Sequence, residues 1–166
     1  MVPAPNIQTI LYASDLGDNT RPVFRLAVSQ ARRYNARLIM LHVVEPLGIS
    51  GTSAVARYVS AETAARINKD GAREMLEVMK QRLEKFCQEE IAAYGLDRTP
   101  VTEVAVATGD PSEEIINAVK HFNADMIIMG KPTRTLLGSV IMGTTARRVA
   151  RHADVPVLLV PNTKKG

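Results

Sequence analysis

The sequence predicts an α/β fold, a five-stranded parallel doubly wound sheet with helices on both faces. Three observations predict it. Short apolar runs alternate with amphipathic helical stretches along the chain. The run Leu38 to Val44 is apolar throughout except for His42, as a strand covered on both faces must be. The order β-α-β-α-β-α-β-α-β also requires right-handed crossovers between parallel neighbours. At 166 residues the chain is expected to form one domain spanning 1–166, with no linker and no internal repeat.

Ile7 to Ala13 is the first predicted strand. Thr20 to Tyr34 places Phe24, Ala27, Val28 and Ala31 on one stripe of a helix that Asn35-Ala36 ends. After the second strand, Glu45 to Arg57 is rich in Gly, Ser and Pro and reads as a flexible loop. A long helix over Ser60 to Tyr94 puts Leu76, Met79, Leu83 and Phe86 on one side, with Gly95 as its C-cap. Val101 to Thr108, with Thr102 and Glu103, is a more polar strand suited to a sheet edge. Asp110-Pro111-Ser112-Glu113 opens a helix running to about Phe122: Asp110 caps, Pro111 takes the first turn and Glu113 stands where a capping-box carboxylate would. Met126 to Met129 and Val157 to Val160 are the last strands. Between them lie a loop and a helix with Ala146, Val149, Ala150 and Ala153 on one face.

The composition, 46% hydrophobic and 23% charged, is that of an ordinary globular protein. Part of the net charge of +4 sits in Lys164-Lys165 and in Arg147, Arg148 and Arg151. That excess suits phosphates, but without Trp and with few Phe or Tyr there is no stacking platform for sequence-specific nucleic-acid binding. Cys87, the single cysteine, falls on the core side of the long helix and reads as a small apolar residue. The N-terminus lacks signal-peptide character and no apolar run approaches membrane-spanning length, so a cytoplasmic protein is expected.

Ligands of open parallel sheets bind beyond the carboxyl ends of the strands, where strand order switches. Asp15, Gly109 and Gly130 all follow predicted strands. In the segment Gly130 to Thr145, Gly130 lets the backbone turn sharply and approach a ligand, and Gly143-Thr144-Thr145 opens a helix. The free N–H groups of that first turn, the threonine hydroxyls and the helix dipole make an anion site, with Lys131 and Arg134 adding positive charge. Taken alone, the same glycines can equally shape turns, Thr144 can cap the helix, and Asp15 can cap a turn ahead of Gly17. The segment is neither a Walker A loop nor a Gly-x-Gly-x-x-Gly motif.

The pattern resembles the universal stress protein family, whose late signature is Gly, two residues, Gly, nine residues, Gly-Ser/Thr. Gly130 and Gly143-Thr144 stand at the right distance. Ile10-Leu11-Tyr12-Ala13-Ser14-Asp15 is similar to the family's first strand and acidic end, Leu41-His42-Val43-Val44 to its second strand, and Ala146 to Val160 to its closing helix and strand. The resemblance implies a Rossmann-like, adenine nucleotide α hydrolase-like fold and a stress-response regulatory protein that binds ATP or AMP. It implies that Asp15, next to Ala13, meets the nucleoside, that Val43 and Met129 lie against the base, and that Gly130, Gly143, Thr144 and Thr145 hold ribose and phosphates. ATP, with Mg²⁺ accompanying it, is the implied ligand.

One departure makes that expectation conditional. Thr133 stands where the signature has its second glycine, after Pro132. Threonine does not take positive φ without strain, its side chain fills space where a phosphate passes, and Pro132 removes a donor. Lys131 and Thr133 could instead supply side-chain contacts. The alternative is a dimeric stress-response interaction module that binds no nucleotide.

No nucleophile–base pair or metal-ligand cluster is evident in the sequence, and the His-x-Gly-His and Ser-Gly-Gly-x-Asp-Ser signatures of related nucleotide-transferring enzymes are missing. No catalytic residue is therefore assigned, and any ATP turnover is expected to be slow and incidental. His42 reads as a semi-buried strand histidine rather than a base. The short apolar strand Val157 to Val160, near the C-terminus, invites pairing with its own copy, and the resemblance likewise implies a homodimer through it.

Overall fold

The structure, a computed structural model, describes residues 5–17, 20–45, 61–96, 98–131, 135–136, 139–140 and 142–162. Strand β1 (Thr9–Ser14) is followed by α1 (Thr20–Tyr34), β2 (Arg37–Val44), α2 (Ala61–Ala93), β3 (Val101–Thr108) and α3 (Pro111–Phe122). Then come β4 (Met126–Lys131), a two-residue antiparallel pair β5 (Thr135–Leu136) and β6 (Ser139–Val140), α4 (Thr144–His152) and β7 (Val157–Pro161). Five strands form one parallel sheet in the order β3-β2-β1-β4-β7. The expected doubly wound α/β architecture is the one observed. The predicted loop Glu45 to Arg57 lies outside the described residues apart from Glu45, as does Ser60.

Strand alternation divides the core into two layers. Ile10, Tyr12, Leu38, Met40 and Ile128 face α1 and α2, against Phe24, Ala27, Ala31 and Leu83. Leu11, Ile39, Leu41, Ile127 and Met129 face α3 and α4, against Ile115, Val119 and Val149. Asn35 and Gly95 take positive φ (52° and 58°) and end α1 and α2 where the sequence places their stops. Cys87 is buried beside Met40, its Sγ 3.1 Å from the thioether sulfur, and burial pushes the thiol up to about 12. Among the described residues no helix is long and apolar enough to cross a membrane.

Three expectations need correction. Ala150 is exposed, because the nine residues of α4 turn only Ala146, Val149 and, in part, Ala153 toward the sheet. Second, β4 does not stop at Met129: Gly130 and Lys131 remain in the strand, paired with Val160 and Pro161 of β7. Gly130 therefore does not make the sharp turn expected of it. Its bare Cα instead leaves room for a neighbour: a Cβ there would meet the Asn162 side-chain amide, with Nδ2 at 2.9 Å and Cγ at 3.0 Å, and that side chain would have to swing aside. Third, the sequence offered no sign of the short β5–β6 pairing.

One packing feature was not anticipated. Glu90 of α2 is on the inward stripe with Leu83 and Cys87 and is buried. Its carboxylate meets two guanidinium groups of α1, Arg21 Nε at 2.8 Å and Arg25 Nε at 3.0 Å, clamping the two helices together.

Asp110 caps α3 as expected. Its Oδ1 accepts from the Ser112 hydroxyl and from the amides of Ser112 (2.9 Å) and Glu113 (3.1 Å), and Arg148 of α4 pairs with Oδ2 at 3.2 Å. The Ser112 hydroxyl foremost, then the Glu113 amide, hold the carboxyl below its ordinary range. A depressed folded-state pKa means that the charge stabilises above the unfolded value, about 3.9, and ceases to do so as pH falls through the folded one. The stability gap between the wild type and Asp110→Asn, which retains a capping oxygen, should be constant from about pH 5 upward and shrink below about pH 4. Urea unfolding across this range measures it; a gap indifferent to pH would refute the assignment.

Candidate functional site

Strand order switches between β1 and β4: the chain leaves β1 through α1 toward β2, but reaches β4 on the other side of β1 by way of α3. Above the carboxyl ends of these strands lies a cavity of about 490 Å³, well within the range of small-ligand sites. Of the residues singled out from the sequence, Ala13, Asp15, Val43, Met129, Gly130, Gly143, Thr144 and Thr145 all line it. Four separate segments of chain thus converge as the sequence reading required. Thr133, with Pro132 and Arg134, lies outside the described residues.

The walls differ in character. Val43, Leu41, Met129 and Ile115 give an apolar side suited to a flat ring, continuous with the core layer beneath α3 and α4. Two helix N-termini also border the cavity, and their contrast is informative. That of α3 is satisfied internally by the Asp110 carboxylate. That of α4 has a glycine cap, Gly143 (φ −57°, ψ 153°), no side-chain capping bond and no acidic residue in its first turn. Among the described residues no side chain caps the first-turn N–H groups of α4, and the Thr144 and Thr145 hydroxyls also line the cavity there. Gly143, rather than Thr144, is the capping position.

Asp15 is held in place by its own loop. Its Oδ1 accepts from the Gly17 amide at 3.0 Å and from the Thr20 hydroxyl at 2.9 Å, so it caps the turn, and the residue also lines the cavity. Between them Leu16 takes φ 56°, an uncommon conformation for a bulky residue, and its amide donates to Ser14 Oγ at 3.2 Å. The turn thereby fixes the direction in which β1 presents its carboxylate.

Several lining residues were not assigned to the site from the sequence. His42 also borders the cavity, and its Nδ1 donates to the Ser14 carbonyl at 2.8 Å. That bond places the proton of the neutral ring on Nδ1 and leaves Nε2 as an acceptor. Met79 comes from α2 and Glu45 from the end of β2. A sequence signal existed for His42, the one polar residue between Leu38 and Val44. None existed for Met79, whose place depends on how a distant helix crosses the sheet.

The model of the Universal stress protein family matches residues 6–161. A universal stress protein of Thermus aquaticus is 29% identical over 153 residues, covering 92% of this chain and 98% of that one. Among solved structures, universal stress protein UspA from Lactobacillus plantarum superposes with a TM-score of 0.63 at 23% identity, covering 93% of this chain and 98% of its own. A universal stress protein in complex with cAMP superposes with a TM-score of 0.62 at 18% identity, with coverages of 95% and 99%.

Proposed function

The chain belongs to the universal stress protein family, and from that premise we propose that it is an adenine-nucleotide-binding regulatory protein of the stress response. The observation that carries the reading is the glycine-capped, carboxylate-free N-terminus of α4 bordering, together with apolar residues, a cavity of ligand size. A nucleotide has the two halves such a site asks for, a flat weakly polar base and an anionic tail. A relative of the same fold has been solved with cAMP.

In this reading Ala13, Val43 and Met129 pack against the base and Asp15 meets the nucleoside. Gly130, Gly143, Thr144 and Thr145 surround the ribose and phosphates, and Thr133 belongs to the segment that follows β4. ATP and AMP both fit the chemistry of the donors. Among the described residues no group of three or more His, Cys, Asp or Glu could hold a metal. Mg²⁺ would thus enter with the triphosphate, ligated mainly by its oxygens. The proposal extends to a cytoplasmic homodimer formed through β7, which pairs with β4 on one side and ends the sheet on the other.

Isothermal titration tests the reading. Mg-ATP or AMP should bind the wild type, and Gly143→Val should weaken binding about tenfold, or ~1.4 kcal/mol, by placing a branched side chain where the backbone must approach the anion. Heatless titrations with both nucleotides, or equal affinity in the variant, would sink it and favour the interaction module that binds no nucleotide.

A further inference from the structure

The chain's formal net charge is +4, and α1 alone carries four arginines and no acidic residue. Two of these, Arg21 and Arg25, share the single carboxylate of Glu90. Arg32 and Arg33, in the last turn, form no ion pair among the described residues. The negative end of the α1 dipole suits them, but half an elementary charge does not balance two guanidinium groups. Both border a second cavity of about 440 Å³, lined by no acidic residue, between the C-terminal ends of α1 and α2. Because α1 returns antiparallel to the strands, this cleft is at the opposite end of the sheet from the site described above.

We propose that this cleft is a second binding site, for a small phosphomonoester. Arg25, Ser29, Arg32 and Arg33 fall at i, i+4, i+7 and i+8, on one face of α1, and all line the cleft. The facing wall is apolar: Tyr94, nearly half exposed, and Leu96. Arg25 lies 5.3 Å from the centre of the Tyr94 ring while bonded to Glu90, so the ring is fixed as a wall and this guanidinium is already engaged. The two remaining guanidinium groups and the Ser29 hydroxyl are left to bind the phosphate. Two forked cations match a dianionic phosphate in charge and in donor geometry better than a carboxylate. The organic part of the ligand lies along Tyr94 and Leu96.

Amide correlation spectra titrated with phenyl phosphate and with inorganic phosphate, at constant ionic strength, test the proposal. Saturable shifts should appear at residues 28–36 and 94–96, with phenyl phosphate binding at least about threefold more tightly because of the aromatic wall. Arg32→Ser with Arg33→Ser should weaken both at least about tenfold, whereas Gly143→Val should leave them unchanged. The pair Arg32→Lys, Arg33→Lys, which keeps charge but loses the fork, should weaken binding about threefold and serves if the serine variant does not fold. Shifts that never saturate, that chloride reproduces, or that survive the substitutions would overturn the site. Equal affinity for the two probes would overturn the role of Tyr94 and Leu96. Failure of the nucleotide reading would appear separately, as Mg-ATP and AMP titrations silent at Gly143 to Ala146.

Discussion

Phe24→Ala should destabilise the fold by about 3–5 kcal/mol, a large part of the margin of a domain this size. The ring is fully buried and joins three elements: its centre is 5.8 Å from Tyr12 of β1 and 5.1 Å, edge-on, from Phe86 of α2. Truncation leaves a void between two aromatic rings whose own backbones are held by the sheet and by a long helix, so the walls cannot collapse to fill it. The lost edge-to-face contact with Phe86 adds to the transfer cost. Urea unfolding should show a lower midpoint with an unchanged slope; a loss under about 1 kcal/mol would show that α1 repacks, contrary to this account.

The Glu90 clamp should respond asymmetrically. The two arginine side chains are 59% and 46% exposed, whereas that of Glu90 is 5% exposed. Removing the carboxylate returns the arginines to water, so Glu90→Gln, which keeps an acceptor, should cost only about 1 kcal/mol. Replacing both Arg21 and Arg25 with alanine instead leaves a buried carboxylate without its partners and should cost about 3 kcal/mol. Adding Glu90→Gln to that double variant should recover part of the loss. A double variant no less stable than Glu90→Gln would mean that solvent reaches the carboxylate freely.

The same residue shows what the sequence could and could not convey. Strands, helices and their stops were legible because apolar period, capping residues and αL positions are local: Asp110-Pro111, Asn35 and Gly95 each do what their side chains dictate. Glu90 was not foreseen, although it falls seven residues after Leu83 on the buried stripe. An acid on an apolar face becomes intelligible only once the arginines of another helix are brought beside it. The charge of α1 was likewise present in the sequence but diluted among basic residues elsewhere. At the candidate site, the lining residues from β1, β4 and α4 follow from motif spacing, whereas Met79 and Glu45 depend on the path of chain between β2 and β3. Gly130 was identified from the motif, but its packing against Asn162 was not legible, since that neighbour is thirty-two residues later.

That pairing couples two positions far apart in the chain. A methyl group at position 130 makes the asparagine amide lying over it swing aside, whereas shortening that side chain first removes the clash. Gly130→Ala and Asn162→Ala are therefore not independent steps, and the first should cost less once the second is in place.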